Sequence, residues 1–284
     1  MEIKFGPAGN SISFAVAGFK KSADAPKWLS EMGLNAYEYQ CGRGINIGDE
    51  TASLIGKNAR EHGIQMSLHT PYFINLSSIE EERMQKNVKY ILDSAHVINL
   101  MGGSRMVVHC GGLSKQTRIK AMEHTKININ NMLNALESDY SHVRMCIETM
   151  GKMNVLGDLD EICEIVATDD RLLPCIDFGH LNSRGMGNIK TYEDYENIFK
   201  TLENGIGVER TKILHAHFSH IEYSSAGEVR HLTFEDTIYG PKFDELAKLL
   251  AKNKYTPTII CESAGTQAED ALTMKKMYEE AQNG

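Results

Sequence analysis

Residues 143–148 read VRMCIE and residues 172–177 read LLPCID, and these two segments decide the fold class. Each is a short, mostly apolar run that ends on a carboxylate. Such runs are typical of parallel strands that helices cover on both faces. Between them, residues 156–168 form an amphipathic stretch that predicts a helix. A buried strand, a helix and a second buried strand indicate one unit of an α/β protein.

The same alternation of short apolar runs and longer amphipathic stretches continues in both directions along the chain. Strands are predicted at residues 2–6, 35–40, 64–69, 105–109, 143–148, 172–177, 212–217 and 257–262. Helices are predicted at residues 24–33, 49–63, 78–101, 114–138, 156–168, 191–203, 241–253 and 266–282. Eight such units favour a closed (β/α)8 TIM barrel, with one domain over residues 1–284. A Rossmann sheet is disfavoured because no GxGxxG follows the first strand.

The composition narrows the class of protein and its surroundings. Hydrophobic residues make up 42% of the chain and charged residues 24%, as in a globular protein with a large core. No run of about 18 apolar residues occurs, so we expect no membrane partner. The six cysteines lie far apart without a CxxC pair, which favours a reducing, cytoplasmic location.

The net charge of −8 disfavours a nucleic-acid binder that relies on a basic surface. Bound metal would change this balance. Three divalent cations would add six positive charges to the −8 of the chain and bring the net charge to −2, concentrated at one face. The charge therefore lowers the expectation of a nucleic-acid partner without removing it.

Side chains that bind metals stand at the carboxyl ends of six consecutive predicted strands. They are His69, His109, Glu148, Asp177, His217 and Glu262. Barrel enzymes place their catalytic groups at this end of the strands. Unpaired carboxylates buried there would cost several kcal/mol each, and metal coordination removes that cost. Mixed imidazole and carboxylate ligands suit zinc or manganese.

Two further histidines lie near this predicted rim. His180 follows Asp177 by three residues in CIDFGH, and His231 lies in the long loop after the seventh strand. A different role is expected for His215, which we predict to point away from His217 into another layer of the barrel. The sequence thus predicts a site with more than one metal ion.

Six segments carry a resemblance to a known family. They read, in chain order, SLHTPYFINLSS, VVHCGG, IETMGK, IDFGHLNSRG, HAHFSH and IICES. Together they resemble the motifs of the endonuclease IV type (family 2) of apurinic/apyrimidinic (AP) endonucleases. These are zinc-dependent DNA-repair enzymes of the xylose isomerase-like TIM barrel superfamily. The resemblance implies a deoxyribonuclease that cleaves double-stranded DNA 5′ to abasic sites in base-excision repair, and we expect a monomer.

The resemblance also implies three zinc ions, with manganese as an alternative at one site. His69 and His109 would hold the first ion, and Glu148 would bridge it to the second. Asp177, His217 and Glu262 would complete the second site. Glu148 and Glu262 would be the catalytic carboxylates, because the first fixes the spacing of the metals and the second orients the attacking hydroxide.

The third ion would be held by His180 and His231. The family has an aspartate two residues before the last histidine, whereas this chain has Val229 in GEVRHL. We therefore assign the neighbouring Glu228 as the remaining ligand.

The residues expected to contact the substrate match the family's motifs less completely. Tyr72, in HTPYFINL, corresponds to the tyrosine beside the abasic nucleotide, where an aromatic ring can stack on bases. The loop after the second strand reads CGRGINIGD, and Arg43 is its only basic residue. We assign both residues to substrate binding.

Two other functions remain open. A sugar isomerase or epimerase of the same superfamily would use one metal held by Glu148, Asp177, His217 and Glu262. The two glutamates would then act as acid and base on a ketose. The other alternative is a metal-stabilised nucleic-acid-binding protein with little catalysis.

Overall fold

The computed structural model describes residues 2–283 and contains an eight-stranded parallel sheet. Its strands are β1 (Lys4–Pro7), β2 (Ala36–Gln40), β3 (Gln65–His69), β4 (Arg105–His109), β5 (Arg144–Glu148), β6 (Leu173–Asp177), β7 (His215–Phe218) and β10 (Thr258–Cys261). A separate antiparallel hairpin follows β7 and consists of β8 (Ile221–Ser224) and β9 (Gly227–His231). The strands of the large sheet pair in chain order from β2 to β7, then β10, then β1.

The sheet closes on itself where β1 meets β2. Ala8 forms a parallel bridge with Glu38, and the Gly9 amide donates to the Glu38 carbonyl over 2.9 Å. Gly6 lies so close to β2 that an added Cβ atom would overlap the Ala36 carbonyl. Glycine is therefore required at this seam, because any side chain would push the two strands apart.

Eleven α-helices lie in the part of the chain that the structure describes. They are α1 (Ile12–Val16), α2 (Ala25–Glu31), α3 (Asp49–Glu61), α4 (Glu81–Leu100), α5 (Arg118–Leu136), α6 (Leu159–Val166), α7 (Phe178–Arg184), α8 (Tyr192–Ile206), α9 (Val208–Lys212), α10 (Phe243–Asn253) and α11 (Gln267–Asn283). A 3-10 helix spans Ser22–Asp24. Buried side chains such as Leu29, Ile55, Ile91 and Leu246 pack the helices against the barrel.

The (β/α)8 TIM barrel predicted from the sequence is confirmed, because each predicted strand overlaps a strand of the barrel. The sequence did not predict the short helices α1, α7 and α9 or the hairpin. Helix α7 begins immediately after β6 because the Asp177 side chain accepts a hydrogen bond of 2.7 Å from the His180 amide and caps the helix. Among residues 2–283, no helix has both the length and the apolar character needed to cross a membrane.

Candidate metal centre

The six residues predicted at strand ends lie on one rim of the barrel. Four of them are the last residues of their strands, whereas His217 precedes the end of β7 by one residue and Glu262 follows β10 directly. Because all eight strands are parallel, their carboxyl ends meet at the same rim. The structure brings these side chains together in two groups that share Glu148.

The first group consists of His69, His109 and Glu148. The Nε2 atoms of His109 and His69 lie 2.8 and 3.4 Å from the same oxygen, Oε2 of Glu148. Nδ1 of His69 contacts the Thr70 carbonyl over 2.8 Å, so this nitrogen carries the proton and Nε2 faces the carboxylate. The arrangement presents two ring nitrogens and one carboxylate oxygen to a common point.

The second group consists of Glu148, Asp177, His217 and Glu262, whose ligand atoms all lie within 4.8 Å of one another. Nδ1 of His217 lies 3.1 Å from Oε1 of Glu148 and 3.5 Å from Oε2 of Glu262. The two oxygens of Glu148 therefore face different groups, Oε2 the first and Oε1 the second. A carboxylate in this position could contact a cation through each of its two oxygens.

A third group consists of His180, Glu228 and His231. Nε2 of His180 lies 3.4 Å from Oε2 of Glu228. The opposite nitrogen of each ring is occupied, since Nδ1 of His180 contacts the Thr149 carbonyl over 2.9 Å and Nδ1 of His231 contacts the Ser219 hydroxyl over 2.8 Å. Both rings are thus oriented by an oxygen on the side away from the group.

A β-bulge brings Glu228 into this third group. The pairing register of β8 with β9 shifts at Val229, which has no partner on β8. On a regular strand, residues three apart point to opposite faces. The extra residue of the bulge reverses this relation, so Glu228 and His231 both line the cavity while Val229 and Arg230 are exposed.

The buried polar atoms of the centre fit a bound cation. Oε2 of Glu148, Oδ2 of Asp177 and Nε2 of His217 are buried and lack a hydrogen bond of good geometry within the described chain. Leaving such groups unsatisfied costs about 1–3 kcal/mol each, and more when they are charged. Nitrogen and oxygen ligands at these positions suit zinc or manganese.

The carboxylates also increase the affinity of the neighbouring imidazoles for a proton. Burial lowers the pKa of His69, but its contacts with Glu148 outweigh this effect and raise the pKa to about 9. Burial likewise lowers the pKa of His180, and the charges of Asp177 and Glu148 raise it to about 9. A cation that binds these nitrogens must displace the proton.

The three groups open into a cavity of about 440 Å³ at the barrel mouth. Tyr72 lines this cavity and is about half exposed, with its ring against Gly42. Arg43 does not line it, although its neighbour Gly42 does. The structure therefore places Tyr72, but not Arg43, beside the predicted metal ligands.

Two residues near the site were not predicted from the sequence. Lys152 lines the cavity and lies in the loop after β5. Its position is fixed because Arg184 donates to the Lys152 carbonyl over 2.9 Å and Lys152 pairs with Gly227 of β9. The other residue is Glu38, a fully buried carboxylate on β2 that lies beneath the rim. A charged residue inside the apolar strand NAYEYQ was the available signal for it.

The prediction that His215 points away from His217 is wrong. Residues two apart on a strand share a face, so both rings enter the barrel and lie 5.4 Å apart. Both contact Glu38, at 2.9 Å from Nε2 of His215 and 3.1 Å from Nε2 of His217. Burial lowers the pKa of His215 to about 4, which leaves its ring neutral.

A parallel barrel with histidine and carboxylate groups on its carboxyl-end rim defines a class of TIM-barrel proteins suited to binding metals. A family model described as "Xylose isomerase-like TIM barrel" matches residues 26–281, and the chain belongs to this family.

Similar proteins within this class differ in their described activities. An uncharacterised protein of Methanocaldococcus jannaschii is 34% identical over 278 residues, which is 97% of each chain. A probable endonuclease 4 of Mycoplasma genitalium is 26% identical over 69% of this chain and 64% of its own length. The crystal structure of a D-tagatose 3-epimerase-like protein superposes with a TM-score of 0.74 at 21% identity, over 99% of this chain and 97% of the other.

Proposed function

We propose that this protein is a zinc-dependent phosphodiester hydrolase of the AP endonuclease type. Its substrate would be double-stranded DNA with an abasic site, which it would cleave as a cytoplasmic monomer in base-excision repair. The observation that carries the proposal is that three ligand groups line one cavity, with Glu148 shared between two of them. Similarity to a probable endonuclease 4 supports it.

Bound metal ions would supply a hydroxide near neutral pH and positive charge against the phosphate oxygens. The residues of the chain have separate tasks. Glu148 fixes the spacing of the first two groups through its two oxygens. Glu262, at the edge of the second group, accepts a hydrogen bond from the attacking water and orients it. Tyr72 offers an aromatic face beside the cavity for a sugar or base.

One feature of the cavity favours an anionic substrate, and its size limits how that substrate enters. Lys152 is exposed at the cavity and makes no ion pair within the described residues. Its ammonium group is therefore available for a phosphate oxygen. The cavity of about 440 Å³ admits one flipped-out sugar phosphate rather than a duplex, so the duplex would lie across the mouth.

A sugar isomerase or epimerase is the second candidate function. The group of Glu148, Asp177, His217 and Glu262 would hold its single metal, and the epimerase-like structural neighbour shares the fold. This function would not use the histidines of the first and third groups as metal ligands, and we therefore rank it second. Binding of nucleic acid with little catalysis is the third candidate, motivated by Arg43 as the only base of its loop.

The proposal is tested by metal analysis and an incision assay on the same preparation. We expect about three zinc ions per chain by mass spectrometry of the metals. We also expect a single nick 5′ to a tetrahydrofuran residue in a labelled duplex, abolished by a chelator. An intact duplex of the same sequence is the control. One manganese ion, ketose epimerisation and no nick would refute the nuclease. Retention of the duplex in a salt-dependent complex without any nick would identify the non-catalytic binder.

Glu262→Gln tests the proposed orientation of the water. Glutamine keeps the size of the side chain but loses the charge, so we expect incision to fall at least about a hundredfold. The fold, measured by circular dichroism, should not change. Glu222→Gln, on the outer side of the hairpin, is the matched control and should keep full activity. Incision at the normal rate by Glu262→Gln contradicts the assigned role.

A further inference from the structure

Glu38 lies inside the barrel and is completely buried. Its Oε2 atom accepts a hydrogen bond from the Ser67 hydroxyl over 3.0 Å and one from Nε2 of His215 over 2.9 Å. Its Oε1 atom accepts a hydrogen bond of 3.1 Å from the Gln40 amide and lies 3.1 Å from Nε2 of His217. The second oxygen is thus the one directed towards the metal centre.

This buried carboxylate has an energetic cost that the fold does not require. Taking a charged carboxylate out of water costs several kcal/mol even when it is paired, and replacing a buried charged network by apolar residues is often neutral or stabilising. The interior of a TIM barrel is normally filled with branched apolar side chains. A charged network directly beneath the rim therefore indicates a task other than folding.

His217 connects Glu38 to the metal centre. Its Nδ1 atom faces Glu148 and Glu262, and its Nε2 atom faces Glu38. The distance to Glu38 is that of a hydrogen bond, but the angle is not aligned, so the contact is mainly electrostatic. A negative charge on the Nε2 side favours the tautomer with its proton on Nε2, which leaves the Nδ1 lone pair free for a cation.

We infer that Glu38 is a positioning residue that orients His217 from below and makes it a stronger metal ligand. Glu38 is not itself a ligand, because His217 separates it from the other members of the second group. Nε2 of His215 holds one oxygen of Glu38 over 2.9 Å and thereby directs the other towards His217. The inference rests on the proposed function only in that the second group binds a metal.

Zinc affinity measures this effect directly. The full chain is stripped of metal and titrated with zinc in competition with a chromophoric chelator. We expect Glu38→Leu to weaken zinc binding about 10- to 100-fold, because the partner of a ligating histidine has an effect of this size. Glu38→Gln keeps an acceptor without the charge, so its loss should be smaller, above about threefold. Ser67→Ala removes a different hydrogen bond of the same network and is expected to change the affinity less than threefold.

A second readout separates orientation from a general loss of packing. Nitrogen-15 NMR of the zinc-loaded protein reports the protonation of each histidine nitrogen, and His217→Gln assigns the signal. In the wild type we expect a proton on Nε2 of His217, with the shift of an N–H group that faces a carboxylate. The Glu38 variants should lose that shift, whereas Ser67→Ala should keep it.

The outcomes distinguish this inference from the proposed function. Wild-type zinc affinity and an unchanged His217 signal in both Glu38 variants would overturn the inference and leave the hydrolase proposal intact. Zinc binding that depends on Glu38 in a protein that does not nick abasic DNA would support the inference and refute the nuclease. If Glu38→Leu does not fold, the Glu38→Gln variant decides alone. A loss of zinc affinity above about threefold supports the inference, and a smaller loss overturns it.

Discussion

At the scale of single residues, the candidate metal centre depends on side chains whose two polar atoms each contact a different partner. Glu148 directs one oxygen to the first group and the other to the second. His69 and His180 each bind a backbone carbonyl through Nδ1 and present Nε2 to a carboxylate. Because each ring is held on its far side, the ligands are oriented before any cation arrives, and the entropy cost of binding is small.

Lys152 gives a test of the substrate class at this scale. If its ammonium group contacts a substrate phosphate, Lys152→Ala should raise the KM for abasic DNA about tenfold, which corresponds to about 1.4 kcal/mol, with little change in kcat. Lys152→Arg should recover most of the affinity. Steady-state incision kinetics measure both constants.

The matched control for Lys152 is Lys115→Ala. Lys115 is also an exposed lysine in a loop at the carboxyl end of a strand, but it does not line the cavity. Its replacement should leave KM unchanged. An equal rise of KM in both variants would indicate a general electrostatic effect of net charge rather than a contact made by Lys152.

At the scale of elements, the hairpin β8–β9 supplies the carboxylate that a regular strand would misplace. Its inner side packs closely on the loop after β5, since a Cβ atom at Gly151 would lie 2.7 Å from Cβ of Glu228. The bulge at Val229 turns Glu228 inward, and the glycine leaves the space for it. The pattern Glu-x-x-His on a bulged strand is thus equivalent to carboxylate-x-His on a regular one.

Deletion of Val229 tests this equivalence. The remaining residues keep their partners on β8, the bulge disappears, and Glu228 and His231 become two residues apart on a regular strand, facing the same side. We expect the deletion variant to bind as many zinc ions as the wild type, whereas Glu228→Ala should bind one fewer. Metal analysis of both proteins, with Val229→Ala as the control of equal length, measures this. Loss of one ion on deletion would show that the bulge is needed for another reason.

The difference between predicted and observed elements has a physical basis. The barrel strands were predictable because their apolar runs reflect burial on both faces. The hairpin was not, since β8 and β9 are short, polar and partly exposed. The rim residues were predictable because they end strands, a local feature. For Glu38 the sequence offered only a charged residue inside a strand; its contact could not be predicted, because its partner His215 lies 177 residues further along the chain.

At the scale of the whole molecule, the candidate metal centre joins strands from most of the barrel. The two groups around Glu148 draw their residues from β3, β4, β5, β6 and β7 and from the position after β10. A cation bound there links strands that would separate on unfolding. Ligands that bind only the folded state stabilise it by about 2.7 kcal/mol at a hundredfold excess over Kd.

Removal of metal should therefore lower the thermal stability of the protein. We expect a chelator to lower Tm by about 5 °C or more, from the stabilisation by bound ligand and the usual relation of free energy to Tm. Glu148→Gln, which disrupts both groups around it and leaves only the third, should show a much smaller change of Tm with chelator. Differential scanning calorimetry measures both proteins. If the chelator does not change the Tm of the wild type, the role of metal as a link between strands is contradicted.

The place of Glu262 directly after β10 has a consequence for synthesis on the ribosome. His69, His109 and Glu148 have all been added when about half of the chain is made, so the residues of the first group are present early in translation. The second group is complete only after Glu262, residue 262 of 284, has been added to the chain. A product that ends before residue 262 therefore lacks the carboxylate that the proposed function assigns to orient the water. Loss of the last strand would thus leave the ligands of the first group without the complete second group.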